Sequence, residues 1–416
     1  MTTSPLAVEK DPAALGFDAT RLARIDDHFR RYVDDGRLAG WQVVVTRRGE
    51  VVHSSEAGQR DEEAGLPVEP DTRWRIYSMT KPITSVAAMI LWERGELELT
   101  DPISRWLPAF AEPRVYLRGS ATSPLTMPSP EPIRVWHLLS HTAGLTYGFH
   151  HAHPIDEMYR TAGFEWGVPA GLDLAGCVDA WAGMPLVHTP GTEWNYSHAT
   201  DVLGRLVEVV SGRSLDVFLD EEILTPLGMT ATAFAADDPS RTAALYARLG
   251  DGSRVRADAF GAPFLEPPTW LSGGGGLVST AADYHRFTQM LLRGGELDGV
   301  RILGSRTVAY MGRNHLPGGA DLTEVGRPLF AEMPFDGVGF GLGFSVVLDP
   351  TRYRTLCSAG EMAWGGAAST AFWVDPREEI TALFFTQLMP SSAYPIRSSL
   401  RRLVYQALVD EAPRTP

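Results

Sequence analysis

Ser78 and Lys81 stand three residues apart in Arg75-Ile76-Tyr77-Ser78-Met79-Thr80-Lys81-Pro82, ahead of an apolar run holding Val86, Met89, Ile90 and Leu91. Pro82 suits the first turn of a helix, where its missing N–H costs nothing. On a helix opening near Ser78, residues three apart share a face, so hydroxyl and amine come within hydrogen-bonding reach. An uncharged, desolvated lysine there takes the serine proton, and the helix N-terminus stabilises an oxyanion on the acyl carbon. A Ser-x-x-Lys pair is common in itself. What singles this one out is that only Lys10 and Lys81 are lysines among the 37 Lys and Arg residues, and Lys10 lies in the polar N-terminal segment. A compositional preference for arginine is the plain alternative. Against it, the chain uses here the one cation that can give up its proton, which guanidinium does not.

Two further segments carry chemistry. In Trp194-Asn195-Tyr196-Ser197-His198-Ala199-Thr200, ahead of a helix beginning near Asp201, a tyrosine would ordinarily be packing. Beside a lysine ammonium its phenol is pushed toward ionisation and shares the proton traffic. In Met362-Ala363-Trp364-Gly365-Gly366-Ala367-Ala368-Ser369, two glycines permit close backbone approach, and an edge-strand N–H completes an oxyanion hole; a simple turn is the plain reading.

Other candidates are weaker. His141, in Leu138-Leu139-Ser140-His141-Thr142-Ala143-Gly144-Leu145, is expected to serve structural hydrogen bonding. His150, His151 and His153 with Asp156 have no second ligand group at metal spacing, so a solvated loop is expected and no metal or other cofactor. No serine occupies a Gly-x-Ser-x-Gly elbow, which removes the main support for a Ser-His-Asp hydrolase. Cys177 and Cys357 are too few for a disulfide scaffold, lack Cys-x-x-Cys spacing, and are expected to be buried thiols.

The elements that position these residues follow from periodicity. Ala19 to Asp35 sets Leu22, Ile25, Phe29, Tyr32 and Val33 on one helical face, with Thr20 as cap. Trp41 to Thr46 and Val51 to Ser55 read as a hairpin, and Phe340 to Leu348, Ser369 to Val374 and Ile380 to Gln387 as strands. Helices are expected at 84–93, 133–139, 201–210, 215–223 and 400–409, and the proline-rich stretch 111–132 as a loop. Strands at both ends and helices between them predict an α/β sheet domain from 1–83 with 265–416, and a helical domain over 84–264. The 416 residues are 44% hydrophobic and 21% charged, enough for a large core in two or three units or one elaborated domain. A net charge of −14 disfavours nucleic acid and anionic membranes as partners and favours a small uncharged ligand. The N-terminal residues lack a signal-peptide pattern and no run reaches the ~20 apolar residues of a membrane span, so a cytoplasmic location is expected.

Taken in order, these segments resemble the serine β-lactamase and penicillin-recognising superfamily, in particular class C-like enzymes and the family VIII carboxylesterases. The resemblance covers the chain after about its first twenty residues. It rests on Ser78 with Lys81, on Trp136-His137-Leu138-Leu139-Ser140-His141-Thr142-Ala143-Gly144-Leu145, on Tyr196, on the glycine run from Ser272 to Thr280, and on Trp364-Gly365-Gly366. It implies a β-lactamase/transpeptidase-like α/β (α+β) fold, an antiparallel sheet flanked by helices with an inserted helical domain and the site between the two. It also implies Ser78 as the acylated nucleophile, Lys81 and Tyr196 as coupled base and acid, and the backbone N–H groups of Ser78 and Ala367 as oxyanion hole. Tyr77, His198, Trp364, Gly365 and Gly366 would contact substrate. Two departures bear on the substrate: the family's Tyr-x-Asn is Tyr196-Ser197-His198, and its Lys-Thr-Gly is Trp364-Gly365-Gly366. Loss of the strand lysine removes a cation aimed at a substrate carboxylate, so a short, uncharged carboxylic ester is expected rather than a β-lactam or a D-alanyl peptide. The alternatives are an acyltransferase resembling the statin side-chain transferases, a β-lactamase or D-amino peptidase, and a catalytically silent binding protein.

Overall fold

The structure is a computed structural model describing residues 6–260, 264–327 and 334–410. Eight strands form the main sheet: β1 Gly40–Arg47, β2 Glu50–Asp61, β3 Leu66–Pro67, β4 Val338–Phe340, β5 Ser345–Val347, β6 Met362–Gly365, β7 Ala371–Asp375 and β8 Ile380–Phe385. Their order is β4-β5-β6-β7-β8-β1-β2-β3, with every pairing antiparallel. The two ends of the chain therefore meet at β1 and β8, in register from Gln42 opposite Phe385 to Arg47 opposite Ile380.

β1 is buried along its whole length because both faces of the sheet are covered. Side chains alternate across a strand, so Trp41, Val43 and Val45 enter one core with Phe29, Trp373 and Leu400, while Val44 enters the other. Five helices matter for the site: α1 Arg24–Asp34, α2 Thr80–Glu93, α3 Ala199–Ser211, α4 Ala281–Leu292 and α5 Ile396–Tyr405. On the first face, α1 buries Ile25, Phe29 and Tyr32, at helical spacing, beside Ile396, Leu400 and Val404 of α5. α4 packs on the opposite face against β1, β7 and β8. α2 is buried from Thr80 to Leu91, an apolar helix enclosed by the core, and it packs against α3. The result is the antiparallel sheet flanked by helices that the resemblance implies.

Several expectations are corrected. The helix expected over 19–35 is broken at Ala23, and its cap is Asp18, not Thr20: the carboxylate accepts from the N–H groups of Thr20 and Arg21. Asp reaches N2 and N3 donors from outside the helix, whereas Thr20 is already inside it. The expected loop 111–132 contains a hairpin, Arg114–Ser120 with Ser123–Pro128. Its prolines are compatible with pairing because a two-stranded ribbon has free edges on both sides. The strand expected over 340–348 is two strands, β4 and β5, folded back at Gly343, whose φ of 109° suits glycine and whose Cβ would strike Ser85. Within 84–264, Tyr246–Arg248 and Arg254–Arg256 are strands that join Leu388–Met389 in a three-stranded sheet. Among the described residues, no helix is long and apolar enough to cross a membrane.

Candidate active site

Tyr77–Met79 form one 3₁₀ turn that runs straight into α2, so Ser78 sits at the mouth of an apolar helix and Lys81 in its first turn. Lys81 Nζ donates to Ser78 Oγ at 3.1 Å and to the carbonyl of Gly274 at 2.7 Å. The amine lies 4.5 Å from the ring centroid of Tyr196 and 5.5 Å from that of Tyr147, and Lys81 is only 1% exposed. The three residues singled out in the sequence are thus brought together, Tyr196 arriving from the turn before α3.

Behind the lysine lies a carboxylate. Gly274 N donates to Asp201 Oδ1 at 3.1 Å, and Ser272 Oγ donates to the same oxygen at 2.6 Å. One peptide residue therefore links Lys81, through its carbonyl, to Asp201, through its N–H. Gly274 has no room for a side chain, since a Cβ would sit 2.5 Å from Asp201 Oδ2. Burial alone would raise the Asp201 carboxyl, but the hydrogen bond from His198, and then the charges of His198 and Lys81, hold it below its usual range. His198, given above as a substrate contact, has its ring stacked on Trp181 at 4.1 Å and its Nδ1 3.2 Å from Asp201. Burial depresses its basicity even though Asp201 pulls the other way.

Tyr196 is held from several sides. Trp364 Nε1 donates to its hydroxyl at 3.3 Å, and His150 Nε2 donates to its backbone carbonyl at 2.7 Å. The ring of His141 packs on it at 4.9 Å and that of Tyr147 at 5.3 Å. His141 keeps the supporting role expected of it; burial, then the Lys81 charge, keep its imidazole far below ordinary basicity and hence neutral. The 150–156 segment is not the solvated loop expected. Asp156 is buried and accepts from Thr146 Oγ1 at 2.7 Å and His153 N at 2.8 Å, and of the segment's three histidines His151 alone is exposed. Turning these polar groups inward satisfies the backbone of a tight entry into the helix at Pro154–Thr161. Cys177 is buried as expected, but Cys357 is only half-buried; both are free. No group of residues suited to a metal ion occurs among the described residues.

Gly365, the last residue of β6, and Gly366 and Ala367, in the turn between β6 and β7, line the same cavity as Ser78. Gly366 N donates to Thr370 O at 2.9 Å, and Gly366 lies so close to the backbone before Ser78 that a Cβ would come 2.5 Å from Ile76 O. Tyr77, just before Ser78, has φ of 44°, a left-handed conformation that costs a non-glycine residue roughly 1 kcal/mol. Its ring meets Phe264 at 5.3 Å, its hydroxyl is buried without a hydrogen-bond partner, and burial pushes its pKa up. The cavity holds about 810 Å³, with Phe149, Trp166, Trp270, Phe335 and Trp364 among its aromatic walls. Sequence reasoning missed Asp201, Tyr147 and His150 as site residues. Asp201 was visible only as a residue near a helix start, His150 only as part of a loose histidine cluster read as a loop, and nothing in local spacing marked Tyr147.

A serine and lysine at one helix entrance, a tyrosine beside them and the β6–β7 turn thus stand together beside an antiparallel sheet. A family model, Beta-lactamase, matches residues 25–406, and the chain belongs to the β-lactamase family. Esterase EstB of Burkholderia gladioli is 33% identical over 96% of this chain and 99% of that protein. An uncharacterized protein of Mycobacterium tuberculosis strain CDC 1551 is 41% identical, over 87% of this chain and 88% of its own. The solved structure of EstCE1, a hydrolase with promiscuous acyltransferase activity, matches with a TM-score of 0.79 at 28% identity, covering 93% of this chain and 99% of that one. The chain is a hydrolase-class protein of the β-lactamase fold, in the esterase branch of the serine β-lactamase and penicillin-binding superfamily.

Proposed function

We propose that the protein hydrolyses short-chain, uncharged carboxylic esters through an acyl-enzyme on Ser78. The observation that carries this reading is the 3.1 Å contact of Lys81 Nζ with Ser78 Oγ inside an aromatic cavity. In its uncharged form Lys81 accepts the Ser78 proton while Oγ bonds the acyl carbon, and the N–H groups of Ser78 and Ala367 receive the oxyanion. The C–O bond to the alcohol then breaks, and the departing alkoxide takes the proton through Tyr196. Because Trp364 donates to the phenol oxygen, the phenol hydrogen is free to face the leaving group. Water repeats the sequence on the acyl carbon and releases the acid.

The wall's cations support an uncharged substrate. Of the three arginines that line the cavity, Arg397 is engaged by the carbonyls of Gly366 and Thr370 and Arg401 by Glu361, while the exposed Arg248 donates to the Tyr394 hydroxyl at 3.2 Å. Trp364 offers an indole where β-lactamases place a lysine. One observation favours acyl transfer as a second reading: about 810 Å³ exceeds what a short acyl group fills, leaving space for an acceptor alcohol beside the acyl-enzyme. The test is turnover of 4-nitrophenyl acetate and butyrate, with intact-mass detection of the acyl adduct and phosphonate labelling. Ser78→Ala is expected to abolish turnover and labelling with the fold intact; labelling that persists or maps to another serine refutes the assignment. A competing alcohol that yields a new ester decides for transfer.

A further inference from the structure

We propose that Arg397, on α5, is a positioning residue for the oxyanion hole, fixing the orientation of the Ala367 N–H. The inference rests on the reading that Ala367 N–H receives the oxyanion. Arg397 Nη2 donates to Gly366 O at 3.2 Å and to Thr370 O at 3.2 Å, bridging the two ends of the β6–β7 turn. Gly366 O and Ala367 N–H belong to the same peptide unit, which is planar and trans, so oxygen and hydrogen point in opposite directions. Holding the oxygen against the guanidinium therefore aims the N–H away from α5. A charged donor on the oxygen also polarises the peptide and strengthens its N–H as a donor.

Ser369 N donates to the same carbonyl at 3.2 Å, but it is part of the turn itself and moves with it. Arg397 is the anchor from outside. Its seat is shaped for it: a Cβ on Gly365 would lie 2.6 Å from Arg397 Cζ, so glycine there makes room for the guanidinium. One helical turn further along α5, Arg401 pairs with the buried Glu361 at 2.7 Å, immediately before β6. The two arginines thus tie α5 to both ends of β6, one at Glu361 and the other at Gly366.

The test compares Arg397→Ala, Arg397→Lys and Ala367→Pro in the full-length protein, using 4-nitrophenyl butyrate and phosphonate labelling of Ser78. Misdirecting a donor at the reacting centre is expected to lower kcat roughly ten- to hundredfold in Arg397→Ala with KM little changed. Labelling should slow by the same factor, and millimolar guanidinium should restore rate to Arg397→Ala. Both bonds to the carbonyls come from one nitrogen, so the single ammonium of Arg397→Lys should rescue part of the loss. A raised KM with unchanged kcat would overturn the inference by making Arg397 a substrate contact, as would wild-type kcat in both Arg397 variants. Ala367→Pro deletes the N–H itself: if it is inactive while Arg397→Ala is unimpaired, only the inference about Arg397 falls. If Ala367→Pro keeps full kcat, the oxyanion reading beneath it falls instead.

Discussion

Lowering the pH from 7 to 5 should destabilise the protein through His137, and the size of the effect follows from its surroundings. The ring is 3% exposed, and its Nδ1 accepts a hydrogen bond from Arg134 N at 3.0 Å, a bond that exists only while that nitrogen keeps its lone pair. Burial, then the Arg134 charge, hold the imidazole down to about 3, against 6.5 for the free ring. The unfolded chain therefore takes up a proton near pH 6.5 that the folded chain refuses until about pH 3. Between those values the unfolded state binds more protons, so stability is complete above pH 6.5 and declines as pH falls. At about 1.4 kcal/mol per pH unit, the decline from His137 alone is about 2 kcal/mol by pH 5. Other groups share the window: His285, lowered to about 4 by burial, adds to the trend, while Glu361, raised by burial against the pull of Arg401, opposes it. The measurement is therefore a comparison of wild type with His137→Gln by urea unfolding at pH 5, 6 and 7, where the difference isolates the one residue. The variant is expected to be less stable at pH 7 and to lose about 2 kcal/mol less than wild type on going to pH 5. Parallel pH profiles for the two proteins would refute the reasoning and mean that the folded state accommodates a charged His137.

Lys81→Arg keeps a positive charge but removes the base, and turnover of 4-nitrophenyl butyrate should fall by roughly 10²–10⁴; a near-normal rate would mean that charge alone matters. Trp364→Ala removes an apolar wall worth about 1.5 kcal/mol for ~60 Å² of contact, so KM for neutral esters should rise roughly tenfold, more than kcat falls. Gly274→Ala should lower both stability and kcat, because the new methyl group must displace the Asp201 carboxylate or the Lys81 anchor; steady-state kinetics with a thermal melt checks it. Faster hydrolysis of a cephalosporin or D-alanyl peptide than of any neutral ester would overturn the substrate assignment.

What was legible in the sequence is what short range determines. Ser78 and Lys81 are three residues apart, and one helix entrance is enough to bring them into contact. The β1–β2 hairpin was marked by Arg47-Arg48-Gly49-Glu50, and β1 and β8 were each legible as strands although 333 residues or more separate their paired positions. The hairpin within 111–132 was hidden because five prolines argue against a strand, and only an isolated two-stranded ribbon tolerates them at its edges.

The rest of the site was illegible for one physical reason: its contacts close long loops of chain through single backbone atoms. Lys81 reaches Gly274 O, Asp201 reaches Gly274 N, His150 reaches Tyr196 O and Arg397 reaches Gly366 O. A carbonyl or an N–H has no residue type, so no pattern of side chains announces which one will be used. The glycines betray it only indirectly. Gly274, Gly365 and Gly366 stand where a Cβ would collide with Asp201, Arg397 and Ile76, and each absent side chain marks a place where a remote polar group meets the backbone. A glycine run beside a candidate nucleophile is therefore better read as a set of docking points for side chains elsewhere in the chain than as a flexible loop. In this protein those side chains are Asp201 behind the lysine and Arg397 behind the turn opposite the serine.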